Sequence, residues 1–185
     1  ARYLKSPDMR PIANPDMDSV VVSFADSQPQ GVWPIDGNSN LVEKDGVPVK
    51  SATLKSISKL IGDDSQYKDA FANGTFTHSF LNVNDYHRYH FPLGGTIKEA
   101  RINPTGGQLW WDQENKRYAF NPHAKTGWQS VETRGCVILE TADYCLVALM
   151  PIGMVAVGSV NFEDNVKPGT TVKKGDMLGH FAFGG

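Results

Sequence analysis

Gly135-Cys136-Val137-Ile138-Leu139-Glu140 and Cys145 to Ile152 (CLVALMPI), turning at Thr141-Ala142-Asp143, decide how this chain is to be read. They are two short apolar runs broken by a polar turn, the pattern of consecutive core strands. Working outward, short β-rich segments recur between turn residues. Ser19 to Ala25 (SVVVSFA) is a β-branched run bounded by Asp18 and Asp26 and is expected to be a buried strand. Phe76 to Val83 alternates polar and apolar residues, and Gly95 to Asn103 reads as another strand. Gly153 to Phe162 continues as β with small residues, and Leu178 to Phe183 reads as a final strand. Val166-Lys167-Pro168-Gly169 and Lys173-Lys174-Gly175-Asp176 mark two tight turns.

Two segments carry different signals. Val42 to Val49 contains Asp45-Gly46 and predicts a hairpin turning there. Ser51 to Ile61 spaces Leu54, Ile57, Leu60 and Ile61 at three and four residues, predicting an amphipathic helix capped by Ser51 and ended by Gly62. The expected architecture is mainly β, a β-rich α+β barrel or sandwich with one or two short helices, forming one domain over residues 1–185. Residues 104–134 break the pattern with Pro104, Gly106-Gly107, Trp110-Trp111, Pro122 and Trp128, and read as a long Trp-rich loop or insertion.

Composition narrows the function. The 185 residues carry 18 basic and 20 acidic side chains, a formal charge of -2, which gives no electrostatic case for nucleic acid. The longest apolar run, Leu146 to Val157, is interrupted by Pro151 and Gly153, well short of the roughly 20 residues of a membrane-spanning helix. Cys136 and Cys145 read as buried thiols of a cytoplasmic-type protein, with a single disulfide as the lesser alternative. With Ala1 in place of an initiator methionine, the chain is expected to be a processed piece of a longer one.

The densest chemistry lies in Asp85-Tyr86-His87-Arg88-Tyr89-His90-Phe91-Pro92. Two imidazoles three residues apart share a side of a helical turn and oppose each other on a strand. With Asn84 as a cap and Pro92 as a stop, a single helical turn is the expectation. Structural, proton-transferring and metal-ligating roles all remain open for these histidines, although no third metal ligand of the usual spacing follows. Asp26, at the end of the Ser19 to Ala25 run, is either a turn residue or a carboxylate that orients a histidine. No Gly-x-Ser-x-Gly elbow supplies a serine nucleophile.

Together, Arg10-Pro11-Ile12, Val20 to Ser27, Asn82 to Pro92 (NVNDYHRYHFP), Gly153 to Val160 and Lys174 to Gly185 (KGDMLGHFAFGG) resemble the phosphatidylserine decarboxylases and their soluble amino-acid-decarboxylating relatives. The resemblance implies a self-cleaving proenzyme cut after Gly184-Gly185, with this chain as the larger, β, subunit. The next residue, a serine, would become a pyruvoyl group, a covalent cofactor at the start of a small α chain. His90 with Asp26 would activate that serine, while His87 would donate a proton or orient substrate after decarboxylation through a Schiff base. Tyr86 and Arg88 are the candidate substrate-binding residues, and no metal is implied.

Phosphatidylserine is the expected substrate and a free L-amino acid such as tryptophan the alternative. Ser27 stands where many of the lipid enzymes carry glycine. The implied localisation is cytoplasmic, with contact at a membrane surface and homo-oligomerisation both open. A distant alternative is a biotinyl or lipoyl carrier module, which Val166 to Phe181 also resembles, although the lysine-presenting turn of such carriers is missing.

Overall fold

A computed structural model describes residues 10–43, 47–49, 52–82, 84–103, 109–120, 133–153 and 159–182. In chain order the elements are β1 (Gln28–Pro34), β2 (Val47–Val49), β3 (Ala52–Leu54), α1 (Ile57–Ile61), β4 (Thr75–Phe80), β5 (Arg88–His90), β6 (Gly95–Asn103), β7 (Leu109–Asp112), β8 (Arg117–Phe120), β9 (Arg134–Thr141), β10 (Cys145–Leu149), β11 (Val160–Phe162), β12 (Thr171–Val172) and β13 (Met177–Phe181). All the strand pairings among them are antiparallel. Two sheets organise the rest, one in the order β10-β9-β6-β12 and one in the order β11-β13-β5; β1-β4, β2-β3 and β7-β8 form two-stranded ribbons.

The apolar run at Gly135 to Leu139 is buried on both faces of the first sheet. Successive side chains of a strand point to opposite faces. Val137 and Leu139 therefore enter a core with Ile97 and Leu149, which the second sheet completes through Tyr89, Val160, Leu178 and Phe181. Cys136 and Ile138 enter a separate core with Ile35, Leu41, Leu54, Ile57, Leu60 and Ile61. Burying each such Leu or Ile contributes about 1.5–3 kcal/mol, so one strand anchors two apolar layers. The mainly β expectation holds.

In the second sheet, Gly179 lies so close to β11 that an added Cβ would stand 1.9 Å from the Asn161 carbonyl oxygen and 2.8 Å from the Tyr89 ring. Only glycine allows that approach. The Tyr89 hydroxyl donates to the carbonyls of Asn161 (2.7 Å) and His180 (3.1 Å) and accepts from the Asn161 N–H (3.2 Å). One buried phenol thus joins all three strands. Burial raises its pKa above the ordinary tyrosine range, so it stays a donor.

Several sequence expectations match closely. The β6 bounds are those read from sequence, β9 and β10 form a hairpin, and the glycines of the two late turns have positive φ (Gly169 89°, Gly175 86°). Others are corrected. Ser19 to Ala25 is an extended strap, with Val21 53% exposed, and not a buried strand. It bonds to the β5 edge through His90 N–H to Phe24 O (2.9 Å) and Val22 N–H to Pro92 O (3.1 Å). Pro92 has no N–H to return, so the ladder stops.

The turn expected at Asp45-Gly46 lies outside the described residues; the described part of that segment, β2, pairs with β3. That pairing takes Ala52 to Leu54 out of the expected helix, and α1 starts with Ser56 as its cap, accepting from the Lys59 N–H at 3.4 Å; Gly62 ends it as expected. The 104–134 stretch is not a plain loop, since its aromatic-rich segments pair as β7 and β8. Residues 104–108 and 121–132 lie outside the described residues, as do 154–158 within the expected Gly153 to Phe162 strand. Both cysteines are free, and Cys145 is exposed where a buried thiol was expected, because it opens β10 at the hairpin turn.

Burial in the second core pushes the Cys136 thiol up to about 11 from 9. A raised folded-state pKa means that the native state holds this proton longer than the unfolded chain does. Its stabilising contribution is present below pH 9 and is lost as pH rises towards 11. Urea titrations should show about 2–3 kcal/mol of stability disappearing over that range, a slope that Cys136→Ala flattens. Iodoacetamide should label Cys145 in the native protein and Cys136 only on unfolding.

Candidate active site

The His-x-x-His segment is not a helical turn. Asn84 and Asp85 make a bend, closed by Asp85 N–H to Asn82 O (3.0 Å), and Arg88 to His90 then runs as β5. The helical expectation fails because β13 supplies edge bonds to this segment, pairing Met177 with His90, Gly179 with Tyr89 and His180 with Arg88. Pleating therefore places the two histidines on opposite faces.

His87 faces the first core. It is 4% exposed, stands edge-on to Phe181 (6.3 Å between ring centres), and its carbonyl accepts from the Phe181 N–H at 3.0 Å. Its buried Nδ1 has no hydrogen-bond partner among the described residues. An unsatisfied polar atom costs about 1–3 kcal/mol in such a setting.

His90 faces the other way and is half-buried. Its Nδ1 lies 3.0 Å from the Gly175 carbonyl oxygen and its Nε2 3.4 Å from the Tyr86 hydroxyl. A carbonyl only accepts, so this network assigns the proton to Nδ1 and makes Nε2 an acceptor, facing the Tyr86 hydroxyl, the tautomer that a general base needs. The turn carrying Gly175 is fixed by the Asp176 carboxylate accepting from the Lys173 N–H (2.8 Å) and by Gly175 N–H to Phe91 O (2.8 Å).

A column of side chains covers His90. The Tyr86 ring stacks on its imidazole (5.9 Å, 17° between planes), and the Arg10 guanidinium lies 3.6 Å from the Tyr86 ring centre. Arg10 also ion-pairs with Asp26. Asp26 thus reaches the site through Arg10 and Tyr86, and the described ring bonds of His90 go to Gly175 and Tyr86. Tyr86 has its pKa raised, chiefly by burial, against the opposing pull of Arg10 and Arg88. Arg88 lies on the His90 face, donates to Met177 Sδ at 3.3 Å and stands 3.9 Å from the Glu163 carboxylate.

The structure therefore gathers Asp26, Tyr86, Arg88 and His90 on one side of β5 and puts His87 on the other. Gly184 and Gly185 lie outside the described residues. Sequence reasoning assigned no chemistry to Arg10, Glu163, Lys174 or His180. A lysine preceding a positive-φ glycine was the available signal for Lys174. Its Nζ is buried and donates to the carbonyls of Asn14 (2.8 Å) and Met17 (2.5 Å), tying the strap that carries Arg10 and Asp26 to the Gly175 turn. Among the described residues no group of three or more His, Cys, Asp or Glu is placed to hold a metal, and no helix is long and apolar enough to cross a membrane.

Among the described residues, the site thus has one half-buried histidine whose Nδ1 faces a carbonyl and, on the opposite face, one buried histidine whose Nδ1 has no hydrogen-bond partner. The family model described as phosphatidylserine decarboxylase matches residues 1–185, and the chain belongs to that family. It is 34% identical to phosphatidylserine decarboxylase proenzyme 2 of Oryza sativa subsp. japonica, over 100% of this chain and 27% of that protein. It is 31% identical to the phosphatidylserine decarboxylase proenzyme of Fusobacterium nucleatum, over 91% of this chain and 50% of that protein. It is also 28% identical to decarboxylase iboD of Amanita muscaria, over 97% of this chain and 53% of that protein. The chain thus spans between 27% and 53% of the length of these three relatives.

Lys174→Gln should loosen the strap. The expected result is faster limited proteolysis within residues 10–26 and a loss of about 1–3 kcal/mol in denaturant unfolding. Unchanged protection would show that the strap is held by other contacts.

Proposed function

We propose that this chain is the larger part of a self-processing decarboxylase that removes the carboxylate of phosphatidylserine to leave phosphatidylethanolamine. The observation that carries the reading is the opposed pair His90, at the end of β5, and His87, immediately before it, in a chain of this family. One histidine serves the cut and the other the turnover.

For the cut, Nε2 of His90 accepts the proton of the hydroxyl on the residue after Gly185 as that oxygen attacks the Gly185 carbonyl carbon. The peptide C–N bond is exchanged for an ester and the same proton passes to the departing nitrogen; loss of the α-proton of that residue then breaks its Cβ–O bond, releasing Gly185 as a carboxylate and opening the chain. Nδ1 donation to Gly175 holds the ring in the required tautomer. Asp26 contributes at one remove, fixing Arg10 against Tyr86 and so fixing the ring that stacks on His90. The position of the cut is taken from the motif ending in Gly184-Gly185.

For the turnover, the residues present fit the pyruvoyl group that the family resemblance implies. The buried Nδ1 of His87, which has no hydrogen-bond partner among the described residues, belongs to a ring packed on Phe181 at the end of β13, and a carbonyl-bearing group there would give it a partner. When bound, that group supplies a carbonyl that withdraws electrons from the substrate α-carbon. His87 would deliver a proton to that carbon once carbon dioxide has left, from a buried position against the Phe181 ring that keeps bulk water away.

His90→Ala should leave the full-length precursor uncut on a denaturing gel. His87→Ala should be cut yet lose about 10²–10⁴-fold in turnover, the range for removing a general acid. Normal cutting of the first variant, or undiminished turnover of the second, would reverse the assignment. Carbon dioxide release by the processed enzyme should be found with phosphatidylserine in detergent and be absent from a panel of free L-amino acids. The opposite outcome makes an amino acid the substrate.

A further inference from the structure

The bulge in β13 has a consequence for ligand binding. Between Met177 and Gly179 the register shifts, so Leu178 turns into the first core while Met177 and His180 oppose His90 and Arg88. Directly opposed residues of antiparallel strands project to the same face. Arg88 and His180 are thus neighbours on the half-exposed face that carries His90, which lies two residues along β5, about 7 Å away.

Their only described acidic neighbour is Glu163, in the segment that follows β11. Its Oε1 is 3.9 Å from Arg88 Nη1 and 3.6 Å from His180 Nδ1. Both separations exceed a charge-assisted hydrogen bond, which closes to about 2.7–2.9 Å. His180 Nδ1 is buried and without a hydrogen-bond partner among the described residues. The described bond of the Arg88 guanidinium goes to a thioether sulfur, a weak acceptor. Two donors on adjacent strands therefore converge on one carboxylate oxygen that satisfies neither.

We propose that Arg88 and His180 form a subsite for a phosphate oxyanion, with Glu163 as the internal anion that an incoming phosphate displaces. A guanidinium fork alone would match a planar carboxylate, whereas donors from two strands suit the tetrahedral oxygens of a phosphate. That the occupant is a lipid headgroup rests on the phosphatidylserine reading above; free phosphate presents the same chemistry.

The test uses the processed enzyme labelled with ¹⁵N-histidine and two probes, glycerophosphoethanolamine and inorganic phosphate. Saturable shifts of the His180 ring resonances are expected with glycerophosphoethanolamine. His180→Gln should weaken binding about tenfold, and Glu163→Gln should tighten it several-fold by removing the competing carboxylate. Tighter binding of the glycerol ester assigns the subsite to a headgroup, and equal binding assigns it to free phosphate. Absence of a His180 response to either probe overturns the proposal, as does a Glu163→Gln variant whose affinity is unchanged or weaker.

The two readings separate cleanly. Should the wild type bind the probes with these variant effects yet release no carbon dioxide from phosphatidylserine, the decarboxylase reading fails and the subsite stands. Should it decarboxylate the lipid with the same KM in wild type, His180→Gln and Glu163→Gln, the subsite fails and the decarboxylase reading stands.

Discussion

Burial of β9 on both faces is the constraint on which the described structure turns. A strand covered on one side alternates apolar and polar residues, whereas this one is without a polar side chain from Gly135 to Leu139 because each face meets a different layer. Val137 and Leu139 hold the sheet that contains the candidate site, and Cys136 and Ile138 hold the layer around α1. A shift of one residue would exchange the two sets, so the register of β6 and β10 against β9 is strongly specified. The site inherits its position from that register, through the core shared by the two sheets.

Within the second sheet, pleating divides the labour among closely spaced residues. His87 and Tyr89 look into the core, while Tyr86, Arg88 and His90 turn to the other face, where Tyr86 stays buried and Arg88 and His90 are half-buried. Two imidazoles of the same intrinsic chemistry therefore meet different surroundings. One has an apolar wall and a nitrogen with no partner among the described residues; the other has a backbone carbonyl that sets its tautomer and a phenol that covers it. The proposed division between cutting and turnover follows from these environments, since desolvation and hydrogen bonding decide what a histidine can do.

The turn at Lys173 to Asp176 links fold to site. Glycine at φ 86° lets the chain reverse with its carbonyl on His90, and the preceding lysine reaches back to hold the strap bearing Arg10 and Asp26. The Lys-Gly pair was visible as a turn signal, but its partners are more than 150 residues away along the chain for Lys174 and 85 away for Gly175. Local patterning carries no information on such distances.

What was legible beforehand followed from local chemistry. The β9–β10 hairpin, the bounds of β6 and the two glycine turns are written in apolar runs and turn residues. Misreadings arose where a neighbour outvoted a propensity. Pairing with β2 claimed the first residues of the expected helix, the β13 edge drew the histidine segment out into a strand, and a proline ended the ladder that would have made Ser19 to Ala25 a full strand. By itself the sequence determined that this chain is mainly β and which residue types the site contains, because those depend on side chains and their near neighbours. Only the tertiary structure decided which histidine is buried, that Asp26 meets Arg10, and that Glu163 stands between Arg88 and His180. Those outcomes depend on which distant strands share an edge, and on the face to which the pleat then turns each side chain.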